Sequence, residues 1–189
     1  MSGSSANVVH VMGWRSQQYG SFERFLVALA RAGTVRGVAT HLVFPDTPIS
    51  AEFIRDVEAE LHVLPSPRHP ADPRLLLGLD RLLRHVGATH LHAHFGLDAY
   101  HAVAAAQRAG VARAFATKHI VPGCSRLTLS RARHRWLARH VVRLFAVSAS
   151  VARGLVMLGV PEEKIEVSLL GVDLAAYRPD PAARAAVRA

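Results

Sequence analysis

The sequence predicts an α/β protein, a doubly wound parallel sheet of about seven strands with helices on both faces. Two observations predict it. Short β-rich runs alternate with stretches of helical periodicity along nearly the whole chain, the pattern of successive βα units. The chain has 189 residues, 50% hydrophobic and 20% charged, which suits one domain with a substantial core.

The elements follow in order. Residues 7–12 (NVVHVM) read as the first strand, and the polar stretch 13–20 as the loop after it. Phe22, Phe25, Leu26 and Leu29 form one stripe of a helix over 21–32. A strand over 38–44 is stopped by Pro45, and Ser50 caps a short helix to about Val57. A brief strand at 61–64 leads into a proline-rich loop, 65–70. Asp72 as cap and Pro73 at the first helical position start a helix that Gly87 ends. Then come a strand at 89–93, a helix from 97 to 108 closed by Gly110, and a strand at 112–117. A loop through Gly123 precedes a basic helix over 125–140, and residues 141–147 form the most strand-like run. Ser148 caps a helix ending near Gly159, and residues 165–169 make the last strand. The expected division is a disordered stretch over 1–6, a domain over 7–179, and a linker or helix start over 180–189.

Composition excludes several classes. One cysteine, Cys124, rules out a disulfide framework and a cysteine zinc site. No apolar run reaches membrane-spanning length, and the Ser/Gly-rich start lacks the basic and apolar regions of a secretory signal, so a cytoplasmic setting is expected. The net charge is +9, and with only Lys118 and Lys164 as lysines the excess is arginine. Between Asp98 and Glu162 there are ten basic residues and no carboxylate. In the helix over 125–140, Arg131, Arg135 and Arg139 share one side, with Trp136, Ala132 and Leu129 on another. Such a face either is simply solvated or docks on an anionic membrane surface. Nucleic acid is not expected as a partner, because no reading motif is present and aromatics are few.

In open parallel sheets the ligand lies outside the carboxyl ends of the strands. The loops 13–20, 65–70, 94–97 and 118–123, and Ser148, are therefore the candidate site. No GxxxxGK[ST] and no GxGxxG follows the first strand. Gly20 instead lets a ligand approach the backbone at the start of a helix, where free N–H groups favour anions. His90, His92 and His94 alternate and so share one sheet face. Three imidazoles can bind zinc or copper, but no carboxylate or cysteine stands near them in sequence, and no metal is expected. His94 is the functional candidate among them, since it ends its strand. His119, at the carboxyl edge of the next strand, can bond a sugar hydroxyl or a phosphate, or act as a base. Glu52 and Glu60 match the spacing of a two-glutamate motif of some sugar-transferring enzymes. Glu60 opens a strand, so a shared helical face is excluded and the match is chance.

Together, His92-Ala93-His94-Phe95, Thr117-x-His119, Ala146-Val147-Ser148-Ala149-Ser150, Leu158-Gly159-Val160-Pro161-Glu162-Glu163-Lys164-Ile165, and Gly171-Val172-Asp173 with Tyr177-Arg178-Pro179 form an ordered series. It resembles the N-terminal, Rossmann-like domain of GT-B glycosyltransferases of the retaining family called group 1 or family 4, over about Asn7 to Pro179. The resemblance implies the acceptor-binding half of an enzyme that transfers a sugar from a nucleotide-sugar donor to a hydroxyl acceptor with retention. A glycan or lipid-linked acceptor in cell-envelope, glycolipid or polysaccharide synthesis, peripheral location at the inner membrane face, and no metal or other cofactor are implied with it. So is a C-terminal donor-binding domain or subunit, without which little activity is expected.

By the same resemblance His119 is the catalytic histidine facing the reacting sugar. Gly20, Ser21 and Glu23 match the glycine-rich first loop. Arg68, His94 and Ser148 lie in substrate-contacting positions, and Gly171 and Asp173 lead to the interdomain linker. Three positions depart from the family: Ser21 replaces a second glycine, Ile120 replaces the glycine after the histidine, and Leu170 replaces an asparagine. A non-catalytic glycan- or lipid-headgroup-binding protein of the same fold is the alternative.

Overall fold

The computed structural model describes residues 6–48, 50–69, 72–94, 96, 98–122, 127–171 and 178–188, except the side chains of Leu127 and Ala182. The strands are β1 (Asn7–Met12), β2 (Ala39–Phe44), β3 (Glu60–Val63), β4 (His90–His94), β5 (Arg113–Lys118), β6 (Arg143–Ala146) and β7 (Ile165–Val167). The helices are α1 (Ser21–Val35), α2 (Ala51–Asp56), α3 (Arg74–His85), α4 (Asp98–Ala109), α5 (Leu127–His140), α6 (Ala149–Met157) and α7 (Pro181–Arg188).

All seven strands pair in parallel in the order β3-β2-β1-β4-β5-β6-β7. The order reverses between β1 and β4, which opens a crevice at their carboxyl ends. Side-chain alternation splits the core. Val9, Val11, Val43, Leu91 and Ala93 pack with Leu79 of α3, Ala102 of α4, Leu137 of α5 and Leu155 of α6. Met12, Leu42 and Phe44 pack on the other face with Leu26 of α1 and Phe53 of α2. Helices thus cover both faces, as the alternating pattern predicts, and near-continuous apolar strands such as β1 suit burial on both sides.

Local chemistry sets the boundaries. α1 runs past Ala32 to Val35, because Gly33 continues it while lying so close to β2 that a Cβ there would sit 2.9 Å from Thr40 Oγ1. Gly87 (φ 60°) and Gly110 (φ 78°) take the left-handed conformation that closes α3 and α4. Ser50 and Ser148 cap α2 and α6 through side-chain bonds from Phe53 N and Val151 N, 3.2 Å each. α3 begins one residue later than expected, at Arg74. Asp72 still caps it: its carboxylate accepts the Arg74 N–H at 3.1 Å and the Arg68 N–H at 2.9 Å. Bonds from the Arg74 side chain, then from these amides, hold Asp72 well below the usual carboxylate range.

Two expectations need correction. The strand over 141–147 narrows to Arg143–Ala146, because the Val141 N–H is taken by the Leu137 carbonyl at the end of α5. On α5 the inward stripe is His134, Leu137 and Ala138 with Trp136 beside them, whereas Leu129 and Ala132 are exposed. The exposed positions of Arg131, Arg135 and Arg139 are as expected. No helix among the described residues is long and apolar enough to cross a membrane.

Candidate functional site

A cavity of ≈ 620 Å³ opens at the carboxyl edge of the sheet, between the loop after β1 and the residues following β5. Trp14, Gly20, Ser21, Glu23, His119 and Leu170 are among its walls.

The first wall is built by Glu23. Its buried carboxylate accepts the Gly20 N–H at 3.0 Å and the Ser16 hydroxyl at 2.7 Å. Glu23 therefore ties the loop to the first turn of α1 and supplies a negative group where the helix dipole favours one. A Cβ on Gly20 would lie 3.2 Å from Glu23 Oε2, so a side chain at position 20 would crowd that carboxylate. Ser21 follows directly as the first helical residue.

The second wall is a row of histidines. His119 Nε2 lies 3.3 Å from His94 Nδ1, and His94 Nε2 lies 3.3 Å from His10 Nδ1. Phe22 meets the His119 ring edge-on at 5.2 Å and the His94 ring at 5.8 Å. Burial, with a smaller contribution from Lys118, pushes His119 down to about 4, and burial alone pushes His10 to about 4. His94 is held well below its ordinary range, first by burial and then by the neighbouring imidazoles. All three rings are neutral at pH 7. In a neutral row each ring has one N–H, so the bonds must all run the same way. The tautomer of His119 is thereby tied to those of His94 and His10. His92 lies tilted against His94, ring centroids 4.2 Å apart, and bonds Thr117 Oγ1 at 2.7 Å.

The predicted site residues divide accordingly. Gly20, Ser21, Glu23 and His119 converge on the cavity. His94 stands behind His119 and is only 2% exposed. Ser148 lies at the carboxyl end of β6 with its hydroxyl accepting the α6 cap bond. Arg68 is exposed in the loop before α3, held by its N–H to Asp72. Gly171 is exposed with open space around it, and Asp173 lies outside the described residues, as does Gly123. Glu52 and Glu60 fall on α2 and β3, so no helical face joins them.

Sequence reasoning missed His10, Trp14 and Lys118. His10 was detectable as the one polar residue inside an otherwise apolar central strand. Lys118 is 8% exposed, and burial pushes its ammonium down to about 8 while it sits 5.3 Å over the Tyr100 ring.

A seven-stranded, all-parallel sheet with helices on both faces is the architecture of GT-B glycosyltransferase domains. The family model for Glycosyltransferase Family 4 matches residues 22–176, and the chain belongs to that family. Among solved structures, Anabaena HepE in complex with UDP matches with a TM-score of 0.73 at 14% identity, over 96% of this chain and 49% of that one. A glycosyltransferase from Rickettsia africae matches with a TM-score of 0.65 at 17% identity, over 97% of this chain and 49% of that one. The lipopolysaccharide outer core galactosyltransferase WaaB matches with a TM-score of 0.68 at 10% identity, over 89% of this chain and 46% of that one. The chain spans about half the length of these structures. No curated protein matches it in sequence.

Proposed function

We propose that this domain is the acceptor side of a family 4 glycosyltransferase that moves a sugar from a nucleotide-sugar donor to a hydroxyl acceptor with retained configuration. The observation that carries the reading is the family match over residues 22–176, and the cavity lined by Gly20, Glu23 and His119 supports it. HepE has been solved with UDP-glucose, which supports a nucleotide-sugar donor. The neutral His119 imidazole suits a sugar hydroxyl: it gives or takes a hydrogen bond without bringing a cation beside the reacting centre. The start of α1 favours the donor diphosphate. Stabilising the leaving diphosphate and excluding water require a second wall over this cleft, and a donor-binding half supplies it. No step of this reading needs a metal or another cofactor. The exposed Arg131, Arg135 and Arg139 favour a lipid-linked or polyanionic acceptor at a membrane surface.

The test is transfer of labelled sugar from nucleotide-sugars to a membrane lipid extract. The chain together with a donor-binding domain or subunit should transfer, and the same assembly with His119→Ala should not. The 189-residue chain alone should transfer almost nothing. Substantial turnover by the chain alone, or an undiminished His119→Ala enzyme, would overturn the assignment.

A further inference from the structure

A second group of titratable side chains lies at the β2–β3 edge, and the proposed transfer makes no use of it. Parallel register sets His41 opposite Glu60 and Val43 opposite His62. Glu60 and His62, two apart on β3, share a face. His41 Nδ1 lies 3.2 Å from His62 Nε2 and 3.2 Å from Glu60 Oε2, and His62 Nε2 lies 3.6 Å from Glu60 Oε1. A tetrahedral zinc site with bonds of about 2.0–2.1 Å separates its ligand atoms by roughly 3.3 Å. The two separations from His41 fall close to that value, and His62 meets the other oxygen of the same carboxylate at 3.6 Å. One His41 proton cannot serve both neighbours well, whereas a single cation engages a lone pair from each. The side chains are graded in exposure: 9% for His41, 16% for His62 and 63% for Glu60. The ion would thus be held on its protein side and open toward solvent. The carboxylate offsets part of its charge, which the all-imidazole group His10, His92 and His94 does not do.

We propose that His41, Glu60 and His62 form a three-ligand site for a divalent transition metal of the zinc class, with water completing the shell. Two imidazoles and one carboxylate suit zinc, cobalt and nickel better than magnesium or calcium. Bound there, the ion fastens the four-residue edge strand β3 to β2 and so anchors the loop that carries Arg68. The site is a staple in the sheet, independent of sugar transfer.

The tag-free chain, freed of metal by a chelator, is titrated with Zn²⁺ by calorimetry and with Co²⁺ by visible absorption. One equivalent of each should bind, Co²⁺ should develop d–d bands of reduced coordination number, and Zn²⁺ should raise the melting temperature. Glu60→Gln and His62→Ala change accessible positions and leave the core intact. Each should weaken binding at least about tenfold, the lower end of what even outer-shell changes cost a metal site. His92→Asn should bind as the parent does. The proposal fails if the chain binds no Zn²⁺ at sub-millimolar concentration. It also fails if Glu60→Gln and His62→Ala bind as tightly as the parent, or if the equivalent is lost in His92→Asn instead.

Discussion

Two groups of histidines in one sheet face opposite chemical fates. At the switch point, His10, His94 and His119 are linked nitrogen to nitrogen, and burial keeps them neutral. At the β2–β3 edge, His41 and His62 flank an exposed carboxylate. Burial also lowers His41, but Glu60 pulls it back toward the charged form. The difference teaches that strand register and burial, not residue type, decide what an imidazole can do. A central, carboxylate-free row is a chain of neutral hydrogen bonds with coupled tautomers. An edge pair beside a carboxylate is a cation ligand set.

Four experiments break or sharpen that contrast. The largest effect belongs to His119→Ala in the chain paired with the proposed donor-binding half. Loss of the imidazole proposed to act at the reacting centre should lower kcat by about 10²–10⁴, read in the transfer assay. His62→Ala should leave that rate unchanged.

Acid stability comes next. His10 and His119 have folded values near 4, below the ordinary 6.5, so the unfolded chain binds protons first on acidification. The contribution of these two imidazoles should therefore be full above pH 6.5, fall between 6.5 and about 4, and level off below. Thermal melts across that range check the sign, and His10→Phe should flatten the slope.

Glu23→Ala removes the acceptor of both the Gly20 N–H and the Ser16 hydroxyl. Leaving such buried donors unpaired costs about 1–3 kcal/mol each at most, and a denaturant midpoint shift should show it. The smallest effect separates the two groups directly. Thr117→Val deletes the bond to the part-buried His92 and should cost about 0.5–1.5 kcal/mol. In metal-free protein, Glu60→Gln at the exposed edge position should stay within about 0.5 kcal/mol of the parent.

Much of the fold was legible because its signals are local. Residues 7–12 read as β1 with the bounds the structure shows, and Ser50, Ser148, Gly87 and Gly110 punctuate helices where capping chemistry says they should. Misreadings arose where a tertiary contact overrode the local signal. The helix over 21–32 runs on to Val35 through Gly33, which lets α1 approach Thr40. Val141 looked like a strand residue but completes α5. In the site, the loop at Gly20 and the position of His119 were visible from βα topology. The row behind His119 was not, because His10 joins it only through the pairing of β1 with β4, two strands far apart in sequence. His41, Glu60 and His62 were hidden for the same reason: each is unremarkable alone, and only the β2–β3 register brings them together.

The neutral histidine row is tested most directly by imidazole ¹H–¹⁵N correlation spectra of the protein across pH. His10, His94 and His119 should each show one neutral tautomer from pH 7 down to about pH 5, with His119 charging only near 4. A His119 imidazole that titrates near its ordinary value of 6.5, with averaged tautomers above it, would contradict the neutral hydrogen-bonded row on which the proposed role of His119 rests.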